Sequence, residues 1–193
     1  MNTVRRAVML GTIGCLMAAL PQQAGAQNDR GAADTRSDQH GSHSSPPGLV
    51  QAVRNATRQF LDVTAATDAL YAPFLGCVSG TQEGAMGVHY VNGGYAGDAA
   101  IEVDKPEALM YEMRNGRLQL LGVEYIVNAE AWNAHNNQPP TLMGQVFTYN
   151  GSPNRYGLDP FYALHVWAWR DNPNGAFVDW NPQVSCESFV PVP

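Results

Sequence analysis

Short apolar runs separated by glycine, proline and asparagine constrain this chain more than any other feature. Residues 86–91 end at Asn92-Gly93-Gly94, and residues 108–113 and 117–127 flank Arg114-Asn115-Gly116. Residues 142–149 and the strongly apolar 161–170 follow. Runs of this length between turn formers read as strands, and the Arg114-Asn115-Gly116 junction reads as a hairpin. The clusters at Pro139-Pro140, 151–157 and 171–175 read as loops. Upstream, Leu49, Val53, Ala56, Phe60 and Val63 recur at helical spacing, with Gln51, Arg54, Arg58, Gln59 and Asp62 on the other side. That pattern predicts an amphipathic helix over residues 49–70, started by Ser45-Pro46. The expected fold is therefore α+β, with one long N-terminal helix packed on a mainly antiparallel, curved, roll-like sheet. About 140 residues in one domain, over 49–193, suffice to bury a core.

Four ionisable side chains fall inside these apolar runs: His89, Glu112, Glu124 and His165. A buried carboxylate is costly unless it is paired or bound to a cation. Two imidazoles with two carboxylates form a ligand set for Zn, Mn, Fe, Ni or Cu. An open position on such a metal would polarise a substrate or activate water, which leaves hydrolytic or oxidative chemistry open. Asp98, Asp179 and His135 are reserve ligands in loop-like sequence.

Alternation across strands decides whether the four can meet. Glu124 shares a face with Ile126, and His165 shares one with Trp167 and Trp169. If Asn115-Gly116 forms a two-residue turn, Glu112 and Glu124 point to opposite faces. A three-residue loop, or a bulge, puts them on the same face. The competing reading pairs Glu112 or Glu124 with Arg117, Arg155 or Arg170 for purely structural ends.

Aromatics are dense in the last third of the chain. Tyr162, Trp167, Trp169 and Trp180 are candidates to wall a pocket for a small apolar or sugar-like ligand. That gives an alternative function, a non-enzymatic binding module without metal; a structural envelope role is the third reading. No nucleophile elbow surrounds Ser79. The glycines of residues 91–97 lack both phosphate-loop spacing and a basic companion.

The ends of the chain speak to compartment. Arg5-Arg6, an apolar stretch over 7–20 and Ala24-Gly25-Ala26 form a signal peptide over residues 1–26, cleaved after Ala26. Residues 27–48 are polar and read as a disordered leader. Cleavage removes two arginines and no acids, taking the formal charge from −6 to −8. With Lys105 as the only lysine and no basic run, nucleic acid is excluded as a partner. No transmembrane anchor is expected in the mature form. Two cysteines then remain, Cys77 and Cys186, and an even pair in an oxidising compartment reads as one disulfide.

Several segments are distinctive together: Met86-Gly-Val-His-Tyr-Val, Glu107-Ala-Leu-Met-Tyr-Glu, Phe161-Tyr-Ala-Leu-His-Val-Trp-Ala-Trp-Arg and Asp179-Trp-Asn-Pro. Over roughly residues 76–186 the chain resembles a group of exported bacterial proteins of undefined function. The resemblance implies a periplasmic or secreted bacterial protein and brings no catalytic assignment.

Overall fold

A computed structural model describes residues 47–190. The signal peptide expected over residues 1–26, and the leader expected over 27–48 apart from Pro47 and Gly48, lie outside the described residues. The helical segment is present but broken. It comprises α1 (Gly48–Thr57), a 3-10 turn (Arg58–Leu61) and α2 (Val63–Asp68). Asp62 causes the break. Its backbone is extended, at φ −95° and ψ 115°, and its carboxylate accepts the Thr64 N–H at 2.9 Å. An Asp side chain competes in this way with the helical carbonyl four residues back. Here that carbonyl belongs to Phe60, and it accepts the buried Tyr111 hydroxyl instead, at 2.7 Å. The break thus ties the helical layer to the sheet.

The sheet contains β1 (Tyr71–Ser79), β2 (Ala85–Asn92), β3 (Ala108–Arg114), β4 (Arg117–Asn128), β8 (Phe161–Val166) and β7 (Thr148–Asn150), in that spatial order. All neighbours are antiparallel. The two-residue strands β5 (Thr141–Leu142) and β6 (Gln145–Val146) pair separately, so the strand expected over 142–149 is divided. The strand expected over 161–170 stops at Val166. Two short helices, α3 (Gly93–Ala96) and α4 (Ala129–Asn133), follow β2 and β4.

Register separates the two faces of the sheet. Val88, Tyr90, Leu109, Tyr111, Val123, Tyr125, Leu164 and Val166 are aligned across β2, β3, β4 and β8. They form the main core with Leu49, Val50, Val53, Phe60 and Ala66 of the helical layer. The opposite face carries His89, Met110, Glu124 and His165. Part of this second face is covered by Trp167 and the C-terminal segment, with Val184 packed against Ala85, Met110 and Leu121. Cys186 in that segment is bonded to Cys77 in β1, so the disulfide joins an edge strand to the tail. No helix among the described residues is long and apolar enough to cross a membrane.

Candidate metal centre

His89, Glu124 and His165 come from three strands and meet on the second face. Glu124 in β4 lies directly opposite His165 in β8. On its other side, Glu124 faces Ala108 in β3, and Ala108 in turn faces Val91 in β2. His89 sits two residues before Val91 on the same face. A methyl group at position 108 leaves room for the Glu124 carboxylate and the His89 ring to meet over β3. Glu124 Oε2 lies 3.3 Å from His89 Nε2, and Oε1 lies 3.6 Å from His165 Nε2. One donor atom from each residue falls within 4.8 Å of the other two. An ion bound at about 2.0–2.1 Å to tetrahedral ligands holds its donors about 3.3–3.4 Å apart. The His89 pair stands at that separation and the His165 pair slightly beyond it, each to a different oxygen of Glu124.

The electrostatics are those of a desolvated ion-pair network. Burial opposes ionisation of Glu124, but the His165 charge and the hydrogen bond and charge of His89 outweigh it and hold its pKa below the usual carboxylate range. Burial likewise opposes the His165 cation, and Glu124 and Asp179 overcome it to raise the His165 pKa. Asp179 is lowered by its hydrogen bond to His165, against partial burial, with the His165 charge adding to the effect.

His165 is 3 % exposed. Its Nδ1 lies 3.2 Å from Asp179 Oδ1, close enough for pairing, but among the described residues neither ring nitrogen has a partner in hydrogen-bond alignment. The Asp179 contact is therefore a charge interaction with an imperfect hydrogen bond. Buried polar atoms without aligned partners are rare in native proteins, and an ion is one standard reason for them.

Glu112 stands apart from the cluster. The hairpin is the two-residue form, with Arg114 opposite Arg117 and positive φ at both Asn115 (52°) and Gly116 (72°). That turn alone would put Glu112 and Glu124 on opposite faces. A bulge between Met110 and Tyr111 in the β3–β4 register shifts the pairing by one residue and returns them to the same face. The bulge depends on Gly122, where a Cβ would come 2.1 Å from the Val166 carbonyl oxygen. Glu112 nevertheless lies four residues along β3 from Ala108, about 13 Å at strand spacing. Its Oε2 accepts from Arg170 Nη2 at 2.9 Å and its Oε1 from the Ser185 N–H at 3.1 Å. The structural pairing with Arg170 is therefore where the structure places it. Glu112→Ala is expected to cost about 3 kcal/mol in denaturant unfolding, because it strands a largely buried guanidinium, and to leave metal content unchanged. Loss of metal in a folded Glu112→Ala protein would return this residue to the ligand set.

The four aromatics of the alternative reading do not form one pocket. Tyr162 belongs to the main core and bonds Asn133 Oδ1. Trp167 lies in the second cluster, and its indole N–H donates to the Val178 carbonyl. Trp169 crosses to the helical side and donates to Thr57 Oγ1, because β8 has ended before it. Trp180 underlies the Arg155 guanidinium.

A cleft of about 370 Å³ opens elsewhere, directly over His89 and Glu124. Phe74, Leu75 and Val78 of β1 form one wall, and Leu158 and Phe161 form another. The loop supplying Leu158 reaches across to the edge strand, where Arg155 Nη2 donates to the Ser79 carbonyl at 2.8 Å.

Asp98 and His135 are exposed and do not belong to the close ligand group, whereas Asp179 reaches His165. Its only sequence signal is its place in Asp-Trp-Asn-Pro, within a turn-rich segment. Comparison with family models, with curated proteins and with solved structures returned no match.

Proposed function

We propose that the protein binds one divalent transition metal through His89, Glu124 and His165, with Asp179 orienting the His165 ring from behind. The observation that carries this reading is the buried His165 ring, with two unaligned nitrogens, beside an ionised and equally buried carboxylate. A carboxylate behind a ligating histidine fixes its ring and raises its basicity. Three protein ligands leave at least one coordination position open, and two of the three, His89 and Glu124, line the cleft. When bound, such a metal supplies Lewis-acid polarisation. The Cys77–Cys186 disulfide supports an oxidising, extracytoplasmic location, and the leader-like first residues carry the same reading.

The test is the metal content of untagged protein from an exporting host, measured beside Glu124→Gln and His165→Ala. Near-stoichiometric metal is expected in the parent and little in either variant. Chelation should lower the parent's Tm, since a ligand held about 100-fold above its Kd contributes about 2.7 kcal/mol. A parent that holds no metal and takes up none of Zn, Mn, Fe, Ni or Cu would make the cluster a structural ion-pair network.

A further inference from the structure

The cleft over the cluster is specific enough to name a ligand class, on the condition that the metal reading holds. We propose that it takes an apolar chain ending in a carboxylate, with the carboxylate seated on the metal at the floor and the chain lying between β1 and the 151–160 loop. Its walls are chiefly hydrocarbon: Phe74, Leu75, Val78, Val91, Ile126 and Leu158 all line it. A volume of about 370 Å³ falls within the range of small-molecule sites.

Charge selects the head group. Among the described residues, the carboxylates lining the cleft are Glu124 and Asp159, and no lysine or arginine lines it. An anion would therefore be repelled by the protein alone. A divalent ion with two neutral imidazoles and one glutamate carries a net single positive charge at its open position. Asp159 is exposed to solvent and Asp179 faces the far ring nitrogen of His165, so neither acid neutralises the ion from within the cleft. In a poorly solvated cleft, one further carboxylate is the ligand that neutralises it.

The wall carries an independent mark of purpose. β1 has two extra residues between Phe74, opposite His89, and Cys77, opposite Val88. The extra residues are Leu75 and Gly76, both at positive φ, 62° and 71°. Glycine adopts this conformation freely, but a bulky side chain there is strained. Leu75 holds it while 52 % exposed, so its own burial contributes little in return. Bulges re-aim side chains beside functional sites, and this one hangs an apolar group at the cleft mouth.

Leu75→Asn separates the roles, because asparagine tolerates the left-handed region but supplies no hydrocarbon wall. The experiment begins with Zn-loaded protein of verified metal content and titrates decanoate by calorimetry. One saturable site is expected. Affinity should fall roughly tenfold or more in metal-free protein, for 1-decanol in place of decanoate, and in Leu75→Asn. That variant should keep its metal and hold or raise its Tm. Zn-loaded protein that ignores decanoate overturns this inference and leaves the metal reading standing. Equal binding without Zn, or equal binding of the alcohol, overturns the metal-seated carboxylate, and parent-like affinity in Leu75→Asn overturns the wall. Failure to take up Zn is seen before any decanoate is added; it removes the metal reading and, with it, this proposal.

Discussion

Glu107→Gln is expected to stabilise the protein at alkaline pH by on the order of 5 kcal/mol and to leave it nearly unchanged near pH 4. Glu107 immediately precedes β3, is 1 % exposed, and accepts the Ile126 N–H at 2.9 Å. Burial pushes its pKa up to about 8, against the hydrogen bonds from the backbone of Ile126 and Glu107. The charged groups acting on it are Asp98 and Glu124, both acidic, and the hydroxyls of Tyr71 and Tyr125 also feel its charge. The folded protein therefore keeps this proton until about pH 8, whereas the unfolded chain releases it near its ordinary 4.5.

Between those values the unfolded state binds fewer protons, so a rise in pH favours unfolding. The stability is intact below the unfolded pKa and is lost as pH climbs through the folded one. Glutamine keeps the acceptor for Ile126 and removes the titration. Urea midpoints of parent and variant at pH 4, 7 and 9 measure the difference directly, since groups common to both cancel. Parallel pH profiles would show that Glu107 is ionised in the folded protein at neutral pH.

Glu107 also shows where sequence reasoning runs out. It follows Pro106, at the edge of an apolar run, and nothing local separates it from a solvated loop acid. His89, Glu124 and His165 were legible because each interrupts an apolar strand on both sides. Glu112 met the same criterion, yet its partner Arg170 is 58 residues away and invisible to a local pattern. The relation between Glu112 and Glu124 rested on a turn and a bulge together. Asn115-Gly116 announced the turn, while the bulge depends on a close approach between Gly122 and Val166 that only the packed sheet reveals. Strands β2, β3 and β4 were legible from alternation and turn residues. The expected 142–149 strand is instead divided, the 161–170 strand ends at Val166, and β1 was not legible as a strand. Pro73 and Gly76 break its pattern, and an edge strand tolerates both. The helical break was hidden because Asp62 suits the polar face of a helix as well as a cap.

Replacing Cys77 and Cys186 together by serine is expected to cost about 4–5 kcal/mol and to lower Tm by roughly 10–20 °C. The bridge spans 109 residues, from β1 past β8 to the tail, so its removal returns a large loop-closure entropy to the unfolded chain. The loss should concentrate at the sheet edge. Among the described residues β1 pairs only with β2, and its central register is interrupted by the Leu75–Gly76 bulge. The tail has other anchors: Asn181 bridges to Ala85, Ser185 bonds Glu112, and the Phe189 ring packs over Gly76. Hydrogen exchange in the variant should therefore accelerate most along residues 71–79 and least in β3 and β4, which are paired on both sides. Because β1 is also a wall of the cleft, decanoate binding should weaken even where the protein stays folded and keeps its metal. A Tm within roughly 2 °C of the parent would mean that Phe189, Ser185 and Asn181 already hold the tail against the edge strand, with the covalent bond adding little to them.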